Sequence, residues 1–175
     1  MRKHGVLLGA FASILLAVGA YHGYLWSTVL DDLPKGIGVR WVKEITLEPG
    51  FPAWLITDTA GYVLYELDDA TVENLERGGL SSLRDALVPR GAEATEVRRH
   101  YGAWTATPLP AKWTAYTPEG RGFWSGLVYS RFSPEFERRF LAAARAPGSF
   151  YTFNGHGDML MVMPQLRIAV LTWWH

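Results

Sequence analysis

The chain has no cysteine and no excess of charge of either sign. Its 175 residues include 17 basic and 17 acidic side chains. Without a thiol there are no disulfides, thiolate zinc sites, iron–sulfur clusters or cysteine nucleophiles. A net charge of zero argues against nucleic-acid binding, because that affinity comes mainly from basic side chains that neutralise phosphates. What the chain does have is eight Trp, eight Tyr and eight Phe residues, and this content argues against disorder.

The common catalytic motifs are also missing. There is no Gly-x-Ser-x-Gly and no Ser-x-x-Lys; the nearest match is Ser81-Ser82-Leu83-Arg84, in which the arginine stays protonated and cannot act as a base. A metal site needs three or four ligands, whereas the histidines beyond residue 26 are scattered over the chain. We therefore expect no catalytic residues, no cofactor and no metal. The sequence leaves enzymatic activity open and favours a protein without its own catalytic machinery.

The first 26 residues are typical of a membrane or export segment. Arg2 and Lys3 precede a stretch from Val6 to Trp26 that carries no Asp, Glu, Lys or Arg. About 20 apolar residues span a bilayer, and a basic flank stays in the cytoplasm. This pattern predicts a single transmembrane helix over residues 1–26 with the rest of the chain periplasmic or extracellular. The alternative is a signal peptide that is cleaved near Ala20, which would give a secreted protein.

The remaining residues predict a linker over residues 27–38 and one exported domain over residues 39–175. Breakers at Pro34, Gly36 and Gly38 mark the linker. Residues 53–56 and 62–67 predict a hairpin in which Gly61 takes a positive φ. Strands are predicted over residues 39–48, 53–56, 62–67, 123–131, 149–153, 159–163 and 166–174, and helices over residues 70–77, 81–88 and 133–145. This order indicates an α+β fold: an N-terminal transmembrane helix, then a mainly antiparallel sheet with a few helices.

The densest polar group of the domain is the segment from Asn154 to Asp158. Its two glycines, Gly155 and Gly157, let the backbone approach a ligand closely, while His156 and Asp158 can bind a proton or a metal. The alternative interpretation is a tight turn that needs glycine for its backbone conformation. Trp173 and Trp174 end a buried strand, where they pack in the core or contact a partner. The candidate ligand or partner contacts are Gly155, His156, Gly157, Asp158, Trp173 and Trp174.

Residues 153–172 resemble the last two strands of serine β-lactamase-like and penicillin-binding-protein-like hydrolases. Those strands read Gly-His-Gly-Gly-Gln, an apolar strand, a proline, a short turn and a valine-rich strand. The resemblance implies that Gly155, His156 and Gly157 lie on a strand that borders a substrate site. The chain departs from the family at Asp158, which stands where the second glycine and the glutamine are expected, and in lacking Ser-x-x-Lys.

Taken together, these features predict a membrane-anchored, exported binding or assembly domain. Its expected partners are the lipid bilayer, through the N-terminal helix, and another membrane or envelope protein; no nucleic acid is expected. One alternative is a degenerate or partial serine-hydrolase-like domain with residual ligand binding near His156, and another is a small-ligand sensor domain. An exposed apolar patch that includes Trp173 and Trp174 favours assembly. A deep pocket with His156 at its rim favours the hydrolase-like alternative.

Overall fold

The domain is built on one antiparallel sheet of six strands. The computed structural model describes residues 16, 19–21, 23–48, 59–93, 95–116 and 122–175. The strands are β1 (Val39–Glu48), β2 (Ala60–Leu67), β3 (Thr105–Ala106), β4 (Phe150–Phe153), β5 (Met159–Met163) and β6 (Ile168–Trp174). Their order in the sheet is β1-β2-β6-β5-β4-β3, and every neighbouring pair is antiparallel. The sheet and its few helices agree with the predicted α+β architecture.

In the described part of the chain, three α-helices accompany the sheet, and two of them begin at a side-chain cap. The described part of α1 includes residues 23–31. Helix α2 (Asp69–Gly78) begins after Asp68, whose carboxylate accepts from the backbone N–H of Thr71 at 2.7 Å. Helix α3 (Pro134–Arg145) begins after Ser133, as predicted, and the Ser133 hydroxyl oxygen accepts from the Phe136 N–H at 3.2 Å. Short 3-10 helices occupy Gly79–Leu83, Val97–Arg99, Ala111–Trp113, Ser125–Tyr129 and Pro164–Leu166.

The prediction of a transmembrane helix is not supported by the described residues. No helix in the described part of the chain is both long enough and apolar enough to cross a membrane. This finding contradicts the prediction of a bilayer-spanning helix over residues 1–26 and of a single-pass membrane location. At its C-terminal end α1 packs on the domain instead, because Trp26, Val29 and Leu30 lie against the core. The predicted basic flank at Arg2 and Lys3 falls outside the described residues.

Residues 27–38, predicted as a linker, lie against the sheet. Residues 27–31 are helical, and the side chains of Leu33 and Ile37 are fully buried. The Leu33 carbonyl accepts from the Arg90 N–H at 2.9 Å, and Pro34 forms a β-bridge with Pro89. The segment that the predicted breakers mark therefore packs on the core through Leu33 and Ile37.

Alternating side chains of the strands build a core on each face of the sheet. The first face carries Val63, Tyr65 and Leu67 of β2 and is covered by α1, residues 32–37, α2 and Trp104. The second face carries Tyr62 and Leu64 of β2, together with the three methionines of β5 (Met159, Met161, Met163), and is covered by α3 and Phe123. Both faces of the sheet are thus buried.

Three sequence predictions differ from the structure. The predicted strand over residues 123–131 contains the 3-10 helix Ser125–Tyr129, where Gly126 lies so close to Gly61 that a Cβ would come within 1.9 Å of the Gly61 carbonyl oxygen. Gly61 itself lies inside β2, paired with β1 on one side and β6 on the other, and its φ is not positive. Residues 53–56, the other half of the predicted hairpin, lie outside the described residues. The predicted helix over residues 81–88 is helical only to Leu83, as a 3-10 helix.

Candidate functional site

The predicted contact residues meet at one end of the sheet. The turn 154–158 joins β4 to β5, and Met159, the first residue of β5, pairs with Thr172 of β6. This register places the turn beside the last residues of β6. We call this region the β6 end; it comprises the turn 154–158, residues 173–175 and the neighbouring Tyr129.

The turn is held by the side chain of Asn154. The Asn154 Oδ1 accepts from the backbone N–H groups of His156 and Asp158, each at 3.0 Å, and its Nδ2 donates to Asp158 Oδ2 at 2.8 Å. Gly157 has a φ of 91°, which favours glycine. Gly155 lies against Arg98, and a Cβ there would come within 2.9 Å of the Arg98 carbonyl oxygen. Both glycines thus have a structural role, and the turn fixes the carboxylate of Asp158.

The second carboxylate oxygen of Asp158 faces an imidazole. Asp158 Oδ1 is buried and lies 2.8 Å from Nε2 of His175. The His175 and His156 rings are 6.2 Å apart between centroids and nearly perpendicular. When His175 is protonated, this contact becomes an ion pair. The side chain of Asp158 is 17% exposed and that of His175 is 44% exposed, so the imidazole is the more accessible partner.

A second carboxylate lies across from this contact, in the segment after α1. Asp32 Oδ1 accepts from Arg99 Nη2 at 3.1 Å, and its backbone carbonyl accepts from the Tyr101 hydroxyl at 2.9 Å. Burial raises the pKa of Asp32 by more than the hydrogen bond from Arg99 lowers it, and the negative charge of Asp158 raises it further. Burial also raises the pKa of the Tyr101 phenol well above its usual range. The Tyr101 hydroxyl is therefore a hydrogen-bond donor rather than a base.

Asp32, Arg99 and Tyr101 form one side of a cleft, and His156, Asp158 and His175 form the other. The cleft has a volume of about 270 Å³. In the described part of the chain, no group of three or more His, Asp or Glu side chains is arranged to hold a metal ion. The described lining contains no Ser or Thr. The arrangement can accept hydrogen bonds from a ligand or partner and can exchange protons.

The two tryptophans of β6 point to opposite faces of the sheet. Trp173 is half-buried against the core of the first face. Trp174 is 61% exposed, and its ring centroid is 5.9 Å from that of Tyr129. An exposed aromatic pair therefore sits next to the polar cleft, since His175 directly follows Trp174.

The sequence predicted part of this site and missed the rest. His156, Asp158 and Trp174 were identified from the turn and from the strand end. Asp32, Arg99 and Tyr129 were missed because each comes from a separate segment, and only tertiary contacts bring them together. His175 is not among the predicted contacts, although its place directly after β6 puts it beside the turn once the β5–β6 pairing is known.

The serines of the segment Ser81-Ser82-Leu83-Arg84 serve the local backbone. The Ser81 hydroxyl donates to the Gly78 carbonyl at 2.6 Å, and the Ser82 hydroxyl donates to the Asn74 carbonyl at 2.8 Å. No protein-family model, curated protein or solved structure matches the chain. The resemblance of residues 153–172 to serine β-lactamase-like hydrolases therefore stays a prediction.

Proposed function

We propose that the chain is a binding domain, without catalytic machinery of its own, that assembles with a partner protein through the β6 end. The observation that carries this proposal is the exposed pair of Trp174 and Tyr129 beside the cleft. The two rings are 61% and 37% exposed even though they contact each other. Exposed aromatic rings leave apolar area in water, and Trp and Tyr are enriched where proteins meet.

The polar neighbours of this pair supply specificity. The cleft beside the pair carries the carboxylates of Asp32 and Asp158, with Asp158 Oδ1 2.8 Å from Nε2 of His175, and carboxylates accept hydrogen bonds from N–H donors. Protein interfaces commonly combine an aromatic anchor with polar groups around it. The partner that fits has an apolar side chain to cover Trp174 and Tyr129. It also has an N–H donor, such as a lysine or arginine side chain, that faces the carboxylates of the cleft.

The hydrolase-like alternative has one observation in its favour, the cleft with His156 at its rim. Covalent hydrolysis requires a nucleophile within reach of a base. The one side-chain hydroxyl in the described lining belongs to Tyr101, which donates to the Asp32 carbonyl and has a raised pKa. The chemistry of the cleft therefore supports binding more than it supports turnover.

The proposal is tested with two tryptophans of similar exposure. Trp174→Ala removes the anchor, whereas Trp41→Ala removes a ring that is 56% exposed on β1. Full-length tagged chains are expressed in the organism that encodes them and are affinity-purified. The proteins that co-purify with each variant are quantified by mass spectrometry. Because a central aromatic residue carries a large share of binding energy, Trp174→Ala and Tyr129→Ala should each lower recovery of the same partner about tenfold or more. Trp41→Ala should keep it.

Loss of the partner in both tryptophan variants would contradict the assembly proposal. If Trp41→Ala loses the partner as completely as Trp174→Ala, the β6 end is not the contact surface. Sedimentation of the purified chain shows whether the partner is a second copy. Hydrolysis of an ester or a lactam by the wild-type chain, abolished in a folded His156→Ala variant, would establish the hydrolase-like alternative instead.

A further inference from the structure

Tyr101 also lines a second and larger cavity on the first face of the sheet. This cavity has a volume of about 570 Å³, within the range of roughly 300–1,000 Å³ that is typical of small-molecule sites. One wall is the 3-10 helix Gly79–Leu83 with the turn that follows it, and the other is the segment 101–104 ahead of β3. None of the residues of the β6 end lines it.

The apolar part of this cavity is formed by two buried aromatic rings and two leucines. The Tyr101 and Trp104 side chains are 4% and 7% exposed. The polar atoms of both rings are already paired, because Trp104 Nε1 donates to the Ala86 carbonyl at 2.9 Å and the Tyr101 hydroxyl donates to the Asp32 carbonyl. Leu80 and Leu87 add aliphatic surface. Such a lining suits an aromatic or short alkyl group.

One charged side chain lines the cavity, and it is free to bind an anion. Arg84 has no carboxylate within ion-pair distance in the described part of the chain, whereas Arg40 and Arg99 are each paired with carboxylates. A guanidinium presents its N–H groups in a planar fork that matches a carboxylate. The unpaired charge therefore indicates the chemistry of the polar end of a ligand.

We propose that this cavity binds a small amphiphilic carboxylate, with its aromatic or short alkyl body against Tyr101 and Trp104 and its carboxylate paired with Arg84. The cavity and the β6 end share no contact residue, so this proposal and the assembly proposal can fail separately.

The test is calorimetric titration of the full-length chain with 4-phenylbutyrate. Two probes of nearly the same shape, 4-phenylbutanamide and 4-phenylbutylamine, replace the negative charge with a neutral group and with a positive charge. Because a charge-assisted hydrogen bond is stronger than a neutral one, the carboxylate should bind about tenfold more tightly than the amide. The amine should bind most weakly of the three.

Two variants assign the charge preference to one residue. Arg84→Gln should reduce the affinity for the carboxylate to that for the amide and leave the affinity for the amide unchanged. The matched control is Arg138→Gln on the exposed side of α3, which should leave all three affinities unchanged. Ala103→Trp, which places a large side chain in the cavity, should block both the carboxylate and the amide.

Several outcomes would overturn the proposal. These are equal affinity for carboxylate and amide, an Arg84→Gln variant that keeps the preference for the carboxylate, and no binding of any probe at millimolar concentration. Thermal unfolding of each variant shows whether it is folded. If Ala103→Trp does not fold, the comparison of Arg84→Gln with Arg138→Gln still decides the question.

Discussion

The first face of the sheet is covered by segments that hydrogen bonds attach to it, whereas the second face is covered by aromatic rings that pack against one another. On the first face, the Tyr65 hydroxyl donates to the Val29 carbonyl at 2.6 Å and Trp104 donates to Ala86. On the second face, the Phe132 ring lies 4.8 Å from Phe136 and 5.7 Å from Phe140. These contacts differ in kind: hydrogen bonds attach α1 to the first face and Trp104 to the neighbouring Ala86, while tilted and edge-on rings fill the space over the second face.

The largest expected loss of stability follows a substitution on the second face. Phe140 is 2% exposed and packs against Phe123 and Phe132. Phe140→Ala should lower the free energy of unfolding by about 3–5 kcal/mol, because it leaves a cavity among rings that cannot close over it. Urea denaturation measures the loss. The exposed Arg138→Ala on the same helix should change stability by about 0.5 kcal/mol or less, and equal losses would show that the buried face of α3 is wrongly assigned.

The second effect tests whether residues 32–37 belong to the core of the first face. The Leu33 side chain is fully buried there. Leu33→Ala should cost about 2–4 kcal/mol, slightly less than Phe140→Ala because fewer atoms are removed. Lys35→Ala, at an exposed position of the same segment, is the control. If both variants unfold at the wild-type urea concentration, the segment is a linker as the sequence predicted.

The third prediction tests how much one hydrogen bond of the first face contributes to stability. Tyr65→Phe removes the donor to the Val29 carbonyl and leaves that oxygen without its partner. The expected loss is about 1–2 kcal/mol, the cost of one unpaired buried polar group. Tyr151→Phe, at a half-buried tyrosine of the second face, should change the free energy of unfolding less. A larger loss at Tyr151 would remove the distinction between the two faces.

The smallest effect is a pH dependence at the rim of the first face. Burial raises the pKa of Asp32 above its usual value, so the folded chain binds more protons than the unfolded chain just above about pH 3.9. The contribution of Asp32 to stability should therefore fall as the pH rises through this window. Asp32→Asn lacks this titration, so the wild type should lose stability relative to the variant as the pH rises. A relative gain of the wild type would show that the ion pair with Arg99 outweighs burial.

Elements with local signals were predictable from the sequence. The helix α3 has a serine cap, a proline at its first position and an apolar stripe, and it begins and ends as predicted. Strand β5 is an uninterrupted apolar run with the predicted bounds. The strand predicted over residues 123–131 failed because the same apolar residues suit a 3-10 helix when Gly126 must pass close to Gly61.

The path of residues 23–37 and most of the cleft had no local signal. An apolar run ahead of Pro34 and two glycines is typical of an anchor followed by a linker. Only the tertiary structure shows that Leu33 fills a core position and that Asp32 lies beside Arg99. Turn residues such as Gly157 could be found from the sequence, because a positive φ favours glycine whatever the distant parts of the chain do.

The place of β6 in the sheet has a consequence for biosynthesis. This strand is the last of the six in the chain, yet it lies in the interior of the sheet, between β2 and β5. Until it leaves the ribosome, β1 and β2 form one group and β3, β4 and β5 form another, and no strand of the described sheet pairs with both groups. Strand edges that await a late partner are exposed to mispairing and aggregation. A nascent chain that is arrested before Ile168 should therefore need chaperone protection, which the completed sheet does not need.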